Sequence, residues 1–120
     1  MAKVYLYRNC DTCRRAKKWL VANGYAFEEV AIREQPPSVA ELRAALEGAD
    51  GVVKRVFNVS GQDYRALKMK DKLPSLSLDE AIGLLAANGN LVKRPMLVTS
   101  EGAFASFDEA VWTELLRACS

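Results

Sequence analysis

Histidine is missing from all 120 residues, which removes the Ser–His and Cys–His pairings of hydrolases and the commonest nitrogen ligand of metal sites. Cysteine is scarce: Cys10, Cys13 and Cys119 are the only three, too few for a disulfide framework. Neither a GxGxxG nor a P-loop pattern occurs, so nothing indicates a bound nucleotide or a tightly held cofactor. No apolar stretch reaches the length of a bilayer span, and the first residues lack the order of a secretory signal. The expectation is a cytoplasmic protein with no membrane partner, in a compartment where thiols stay reduced and a CxxC is catalytic or sensory rather than a staple. A strong excess of charge is lacking too. Seventeen Lys and Arg face fifteen Asp and Glu, which is not the electrostatic footprint of a nucleic-acid binder.

What is there begins at the N-terminus. A short apolar run, Lys3 to Tyr7, is followed by Cys10-Asp11-Thr12-Cys13 and then by the helical pattern Arg14 to Leu20. Two thiols at a strand-to-helix junction are a redox device: the spacing puts both sulfurs in the first helical turn, whose unsatisfied N–H groups favour a thiolate. From Cys13, Ala16 and Leu20 continue on one apolar face, so Cys13 is expected to point inward as the resolving thiol and Cys10 to stand exposed as the nucleophile. Lys3, Arg8, Arg14, Arg15, Lys17 and Lys18 against Asp11 alone make the first twenty residues basic, a setting that attracts anions. The competing reading is a buried structural thiol pair or half of a zinc site, but one further cysteine and no histidine leave a zinc ion short of ligands.

With half of its residues hydrophobic, the chain has material for one core and one domain, 1–120. Asn23-Gly24 ends the first helix, and Phe27 to Ile32 reads as a second strand, parallel to the first. Pro36-Pro37 stops it. Ser38 to Glu41 is a capping box opening a helix through Leu46, residues 52–72 are irregular and read as helical, and a second capping box, Ser77 to Glu80, opens a helix ending at Asn88-Gly89. Met96–Thr99 and Ala103–Phe107 flank a turn at Glu101-Gly102 as a hairpin, and Asp108 caps a last amphipathic helix carrying Trp112. Trp19 and Trp112 fall at core positions. Cys119 lies at the frayed end of that helix. The order is β-α-β, a helical block, then β-β-α: an α/β sheet with a helical insertion at about 36–90.

Four separated segments together resemble one family, the arsenate reductase and Spx group, close to its Spx and YffB-like members. They are Asn9 to Arg14; Phe57-Asn58-Val59-Ser60-Gly61 with Tyr64-Arg65; Leu85 to Gly89; and Leu91 to Val98, which contains Arg94-Pro95. The resemblance implies a thioredoxin-like fold with a helical insertion, and it places a cis-proline, Pro95, beside the thiols. By it, Cys10, Cys13 and Arg94 carry the chemistry, while Asn9, Thr12, Arg14 and Pro95 form the substrate-binding surroundings. A cis X-Pro bond offers a backbone edge to an incoming chain, and the Arg94 guanidinium is a planar fork for a carboxylate or oxyanion.

The departures from the family matter as much. Arsenate reductases of this type hold their oxyanion with three arginines. Here only Arg94 remains, with Asn58 and Phe107 at the other two places, and each lost charge-assisted bond is worth about 1.5–3 kcal/mol. The resemblance therefore implies first a thiol-disulfide oxidoreductase linked to glutathione, glutaredoxin or thioredoxin, with glutathione as co-substrate. Behind it stand a glutaredoxin-dependent arsenate reductase and an Spx-like redox regulator that binds RNA polymerase.

Overall fold

A computed structural model describes residues 1–118; Cys119 lies outside the described residues. Strand β1 (Ala2–Leu6) leads through the thiol loop into helix α1 (Asp11–Ala22), and β2 (Phe27–Ala31) returns parallel to β1. The chain closes with an antiparallel hairpin, β3 (Met96–Thr99) and β4 (Gly102–Ala105), followed by a C-terminal helix over Glu109–Ala118. β3 pairs antiparallel with β1, giving the sheet order β2-β1-β3-β4. This is the expected thioredoxin-like arrangement.

Side-chain alternation along β1 assigns the two faces. Ala2, Val4 and Leu6 point into a core shared with Cys13, Ala16 and Leu20 of α1 and with Trp112 and Leu116 of the last helix. Tyr5 points the other way, into a larger core with Val30, Met96, Ala103 and the helical block. Trp112 is fully buried and its indole N–H donates to the Ser106 carbonyl at 2.8 Å, so its one polar atom is satisfied. Trp19 packs edge-on against it.

Both capping boxes form as their spacing dictates. Ser38 and Glu41 close the start of α2 (Val39–Gly48), while α3 (Gln62–Ala66) and α4 (Met69–Lys72) precede α5 (Leu78–Ala87), started by Ser77 and Glu80; the last helix is then α6. Residues 53–56 form a single 3-10 turn, the helical alternative at that place. The next residue, Phe57, bridges to Val92 instead of continuing the turn. The block is not wholly peripheral, since α2 lies directly on β4: a Cβ at Gly48 would overlap the Ala103 carbonyl. β4 ends earlier than the apolar pattern through Phe107 suggests. Ser106 turns to φ 108 while its N–H bonds the Pro95 carbonyl at 2.8 Å, and this sends Phe107 toward Trp19 and Trp112.

One polar cluster ties sheet to helical block. Glu41 of α2 accepts from Tyr5 Oη at 2.6 Å, from Lys3 Nζ at 2.9 Å and from the Ser38 N–H at 2.9 Å. Burial and the bond to Glu41 push the Tyr5 phenol up to about 12. Burial alone would raise the Glu41 carboxyl, but the Tyr5, Ser38 and Lys3 bonds outweigh it and hold the group below its ordinary 4.5. A carboxyl held down in the folded state stabilises above its unfolded pKa and loses that contribution as pH falls through the folded one. Glu41→Ala is therefore expected to cost about 2 kcal/mol in urea unfolding at neutral pH, with the deficit against wild type shrinking below pH 4.5. A deficit independent of pH would mean that the carboxylate charge is not what holds the two parts together.

Candidate active site

The site is built where β1 hands over to α1. Cys10 is the N-cap of α1: its backbone is extended, and its Sγ accepts the Cys13 N–H at 3.3 Å while its carbonyl accepts the Arg14 N–H at 3.0 Å. A sulfur in the capping role faces the positive end of the helix. Cys10 is half-buried rather than fully exposed, and Cys13 is 2% exposed, in the α1 side of the core. Burial, followed by the bond to Cys10, pushes the Cys13 thiol up to about 12; the Tyr7 backbone and the charge of Arg94 pull the other way. At neutral pH the inner sulfur is a thiol, held against the outer one.

The loop around the pair is braced by its own side chains. Arg14 donates to the Arg8 carbonyl at 2.7 Å and pairs with Asp11, so it shapes the loop and neutralises the one acidic group beside Cys10. Thr12 accepts from Arg15 at 3.3 Å, and Asn9 donates to the Tyr7 hydroxyl at 3.4 Å. Across from them the Arg94–Pro95 bond is cis and Pro95 is buried. The Arg94 guanidinium lies over the Tyr7 ring, 4.6 Å from its centroid. Among the described residues no three His, Cys, Asp or Glu side chains come together as a metal site.

Sequence reasoning missed Arg33. Its guanidinium also lies over Tyr7, at 5.0 Å, and donates to the Tyr7 hydroxyl at 2.9 Å. The Tyr7 phenol is lowered, first by the bond from Asn9; burial opposes this, and the charge and bond of Arg33 and the charge of Arg94 add to the lowering. Tyr7 and Arg33 follow the C-terminal ends of the parallel strands β1 and β2, where the register pairs Leu6 with Ala31. That is where open α/β sheets place ligands, and the strand pattern alone carried this signal. The positions of the two absent arginines diverge. Asn58 sits near Arg94 in the wall of one cavity, whereas Phe107 packs edge-on against Trp19 and Trp112 at 5.6 and 5.0 Å, so an arginine at position 107 would have to break an aromatic cluster.

Accessibility and the raised pKa of Cys13 set the two thiols apart. Under native conditions near pH 7.5, iodoacetamide is expected to modify Cys10 faster than Cys13 by at least roughly tenfold, read by peptide mass spectrometry, and unfolding should erase the difference. Preferential labelling of Cys13 in the folded protein would reverse the assignment of nucleophile and resolving thiol.

Comparison with known proteins agrees with this geometry. The ArsC family model matches residues 5–115. YusI of Bacillus subtilis (strain 168) is 44% identical over 110 residues, 92% of this chain and 93% of YusI. The global transcriptional regulator Spx of Enterococcus faecalis is 26% identical over 109 residues, 91% of this chain and 81% of Spx. The crystal structure of a possible arsenate reductase from Streptococcus mutans UA159 is similar with a TM-score of 0.81 at 42% identity, covering 92% of this chain and 97% of that one. With a match that runs from β1 into α6 and takes in both thiols and Arg94, the chain belongs to the ArsC family.

Proposed function

We propose that the protein is a thiol-disulfide oxidoreductase in which Cys10 attacks and Cys13 resolves. The observation that carries this reading is the arrangement of the pair: Cys10 Sγ at the helix start, capping the N–H of a Cys13 whose thiol is buried behind it. In the first step the Cys10 thiolate attacks a disulfide R–S–S–R′, forming Cys10–S–S–R and releasing R′S⁻, which takes up a proton. Cys13 then gives up its proton and attacks Cys10 Sγ. The products are the Cys10–Cys13 disulfide and RSH, so two electrons have passed from the dithiol to the substrate. Two molecules of glutathione, or the dithiol of a thioredoxin or glutaredoxin, return the protein to its reduced form, in keeping with a reducing cytoplasmic setting.

The high pKa of Cys13 suits the second role. A protonated inner thiol does not compete for the incoming disulfide, and it loses its proton only when the mixed disulfide has formed beside it. Arg94 is the cation whose charge favours that ionisation.

Arsenate reduction is supported less well. A dianion needs several charge-assisted donors, and beside Arg94 and Arg33 the cavity has a carboxamide, Asn58, and a carboxylate, Asp63, with no cation at Phe107. The similarity to Spx supports a second reading, a regulator whose dithiol sets its interaction with RNA polymerase.

The resolving step distinguishes these. Cys13→Ser is expected to accumulate a mixed disulfide at Cys10, with glutathione or a protein thiol as the captured partner, while wild type reduces a small model disulfide over many turnovers. Absence of wild-type turnover, with retention on RNA polymerase that depends on the redox state of Cys10 and Cys13, would replace the enzyme by the regulator. Brisk arsenate turnover with glutathione and glutaredoxin would replace it by the reductase.

A further inference from the structure

Beside the thiols, the ends of β1 and β2 and the start of α3 enclose a cavity of about 220 Å³. Its wall holds Arg94, Asn58 and Asp63, each with bonding capacity to spare. Arg94 is half-buried, and among the described residues its guanidinium has the Tyr7 ring but no hydrogen bond or ion pair. Asn58 is only 9% exposed, and its carboxamide bonds to no described residue, so the polar atoms of that side chain open onto the cavity. Asp63 accepts from Asn88 at 3.0 Å and Asn90 at 3.3 Å, both through Oδ2, and pairs with no cation among the described residues. Arg33 completes the wall with one donor spent on Tyr7 and the rest of its fork unused.

The pocket is shaped by two glycines. A Cβ at Gly61 would press on the Asn58 carboxamide, and one at Gly89 would overlap the Ile32 carbonyl and crowd the Arg33 backbone. Close approach at these two points sets Asn58 and Arg33 where they stand. The result is a pair of like charges over one aromatic ring, a carboxylate across the same cavity, and a carboxamide able both to donate and to accept. Both guanidinium groups line the one cavity and neither pairs with an anion among the described residues, so both are available to a shared anion. An inorganic dianion would satisfy the arginines but would face Asp63. A group with both charges satisfies all of them.

We propose that this cavity binds the zwitterionic α-amino-acid end of a small thiol or disulfide, with Arg33 and Arg94 on its carboxylate, Asp63 on its ammonium and Asn58 bridging the two. The inference rests on the thiol-exchange reading above and names its substrate class. Neither cysteine lines the cavity, so the amino-acid end occupies it while the sulfur extends to Cys10. Tyr7 joins the two places: its ring carries both arginines, and its backbone hydrogen-bonds Cys13.

S-Methylglutathione tests this without exchange chemistry, because its thioether cannot react. Titrated into the reduced full-length protein, it is expected to give saturable amide shifts at Tyr7, Arg33, Asn58, Asp63 and Arg94. Arg33→Gln should weaken its binding roughly tenfold or more. Asp63→Asn should weaken it by a similar factor, yet not weaken the binding of the glutaryl analogue, which lacks only the α-ammonium. Shifts elsewhere, or an affinity unmoved by either substitution, would overturn the proposal. Inorganic phosphate saturating the same residues while S-methylglutathione does not compete would overturn it in favour of a plain anion site. Disulfide turnover without S-methylglutathione binding removes this pocket assignment and leaves the oxidoreductase standing; binding without turnover does the reverse.

Discussion

The proposed thiol exchange depends on a single junction, the point at which a buried strand becomes a helix with a sulfur as its cap. β1 is fixed on both edges, by β2 and β3, and on both faces, by two cores. Its C-terminal end therefore has one place to go. Cys10 takes the N-cap, and the helical turn that begins there drives Cys13 into the core. The structural asymmetry of the two thiols follows from the fold: one is at the positive end of a helix and half-buried, the other is buried with its thiol pushed up in pKa. Arg14 and Asp11 neutralise each other beside them, which leaves Arg94 and Arg33 as the cations that face the pocket.

Local features were legible in the sequence because their physics is local. Ser38 with Glu41 and Ser77 with Glu80 satisfy helix-end donors within four residues, and both boxes form where the spacing puts them. The thiol pair, the β3–β4 hairpin and the inward position of Cys13 belong to the same class. What stayed hidden is held by distant partners. The irregular stretch after α2 takes its shape from the Asn58 N–H on the Leu91 carbonyl and the Lys93 N–H on the Val56 carbonyl, pairings more than thirty residues apart along the chain. Glu41 reads as a capping residue and nothing more until Lys3 and Tyr5 arrive from β1.

Arg33 shows the same limit within the site. In sequence it is one charge in an acidic region; the parallel register of β1 and β2 makes it a neighbour of Tyr7. The family pattern directs attention to Asn58 and Phe107 as lost arginines, and the structure separates them. Phe107 has become part of an aromatic cluster around Trp19 and Trp112. Asn58 remains in the wall of a polar cavity that also holds Arg33, from the turn after β2. The wall is thus of mixed sign, Arg33 and Arg94 with Asp63, and the proposed zwitterionic ligand rests on that mixture.

Mild oxidation of the reduced protein tests the central claim, that Cys10 and Cys13 act as one two-electron couple. Stoichiometric peroxide, followed by intact mass and peptide mapping, should give loss of two hydrogens with a bond linking Cys10 to Cys13, reversible by a dithiol. Accumulation of Cys10 as sulfinic acid while Cys13 remains a free thiol would show that the inner thiol does not resolve the outer one, and would contradict the account.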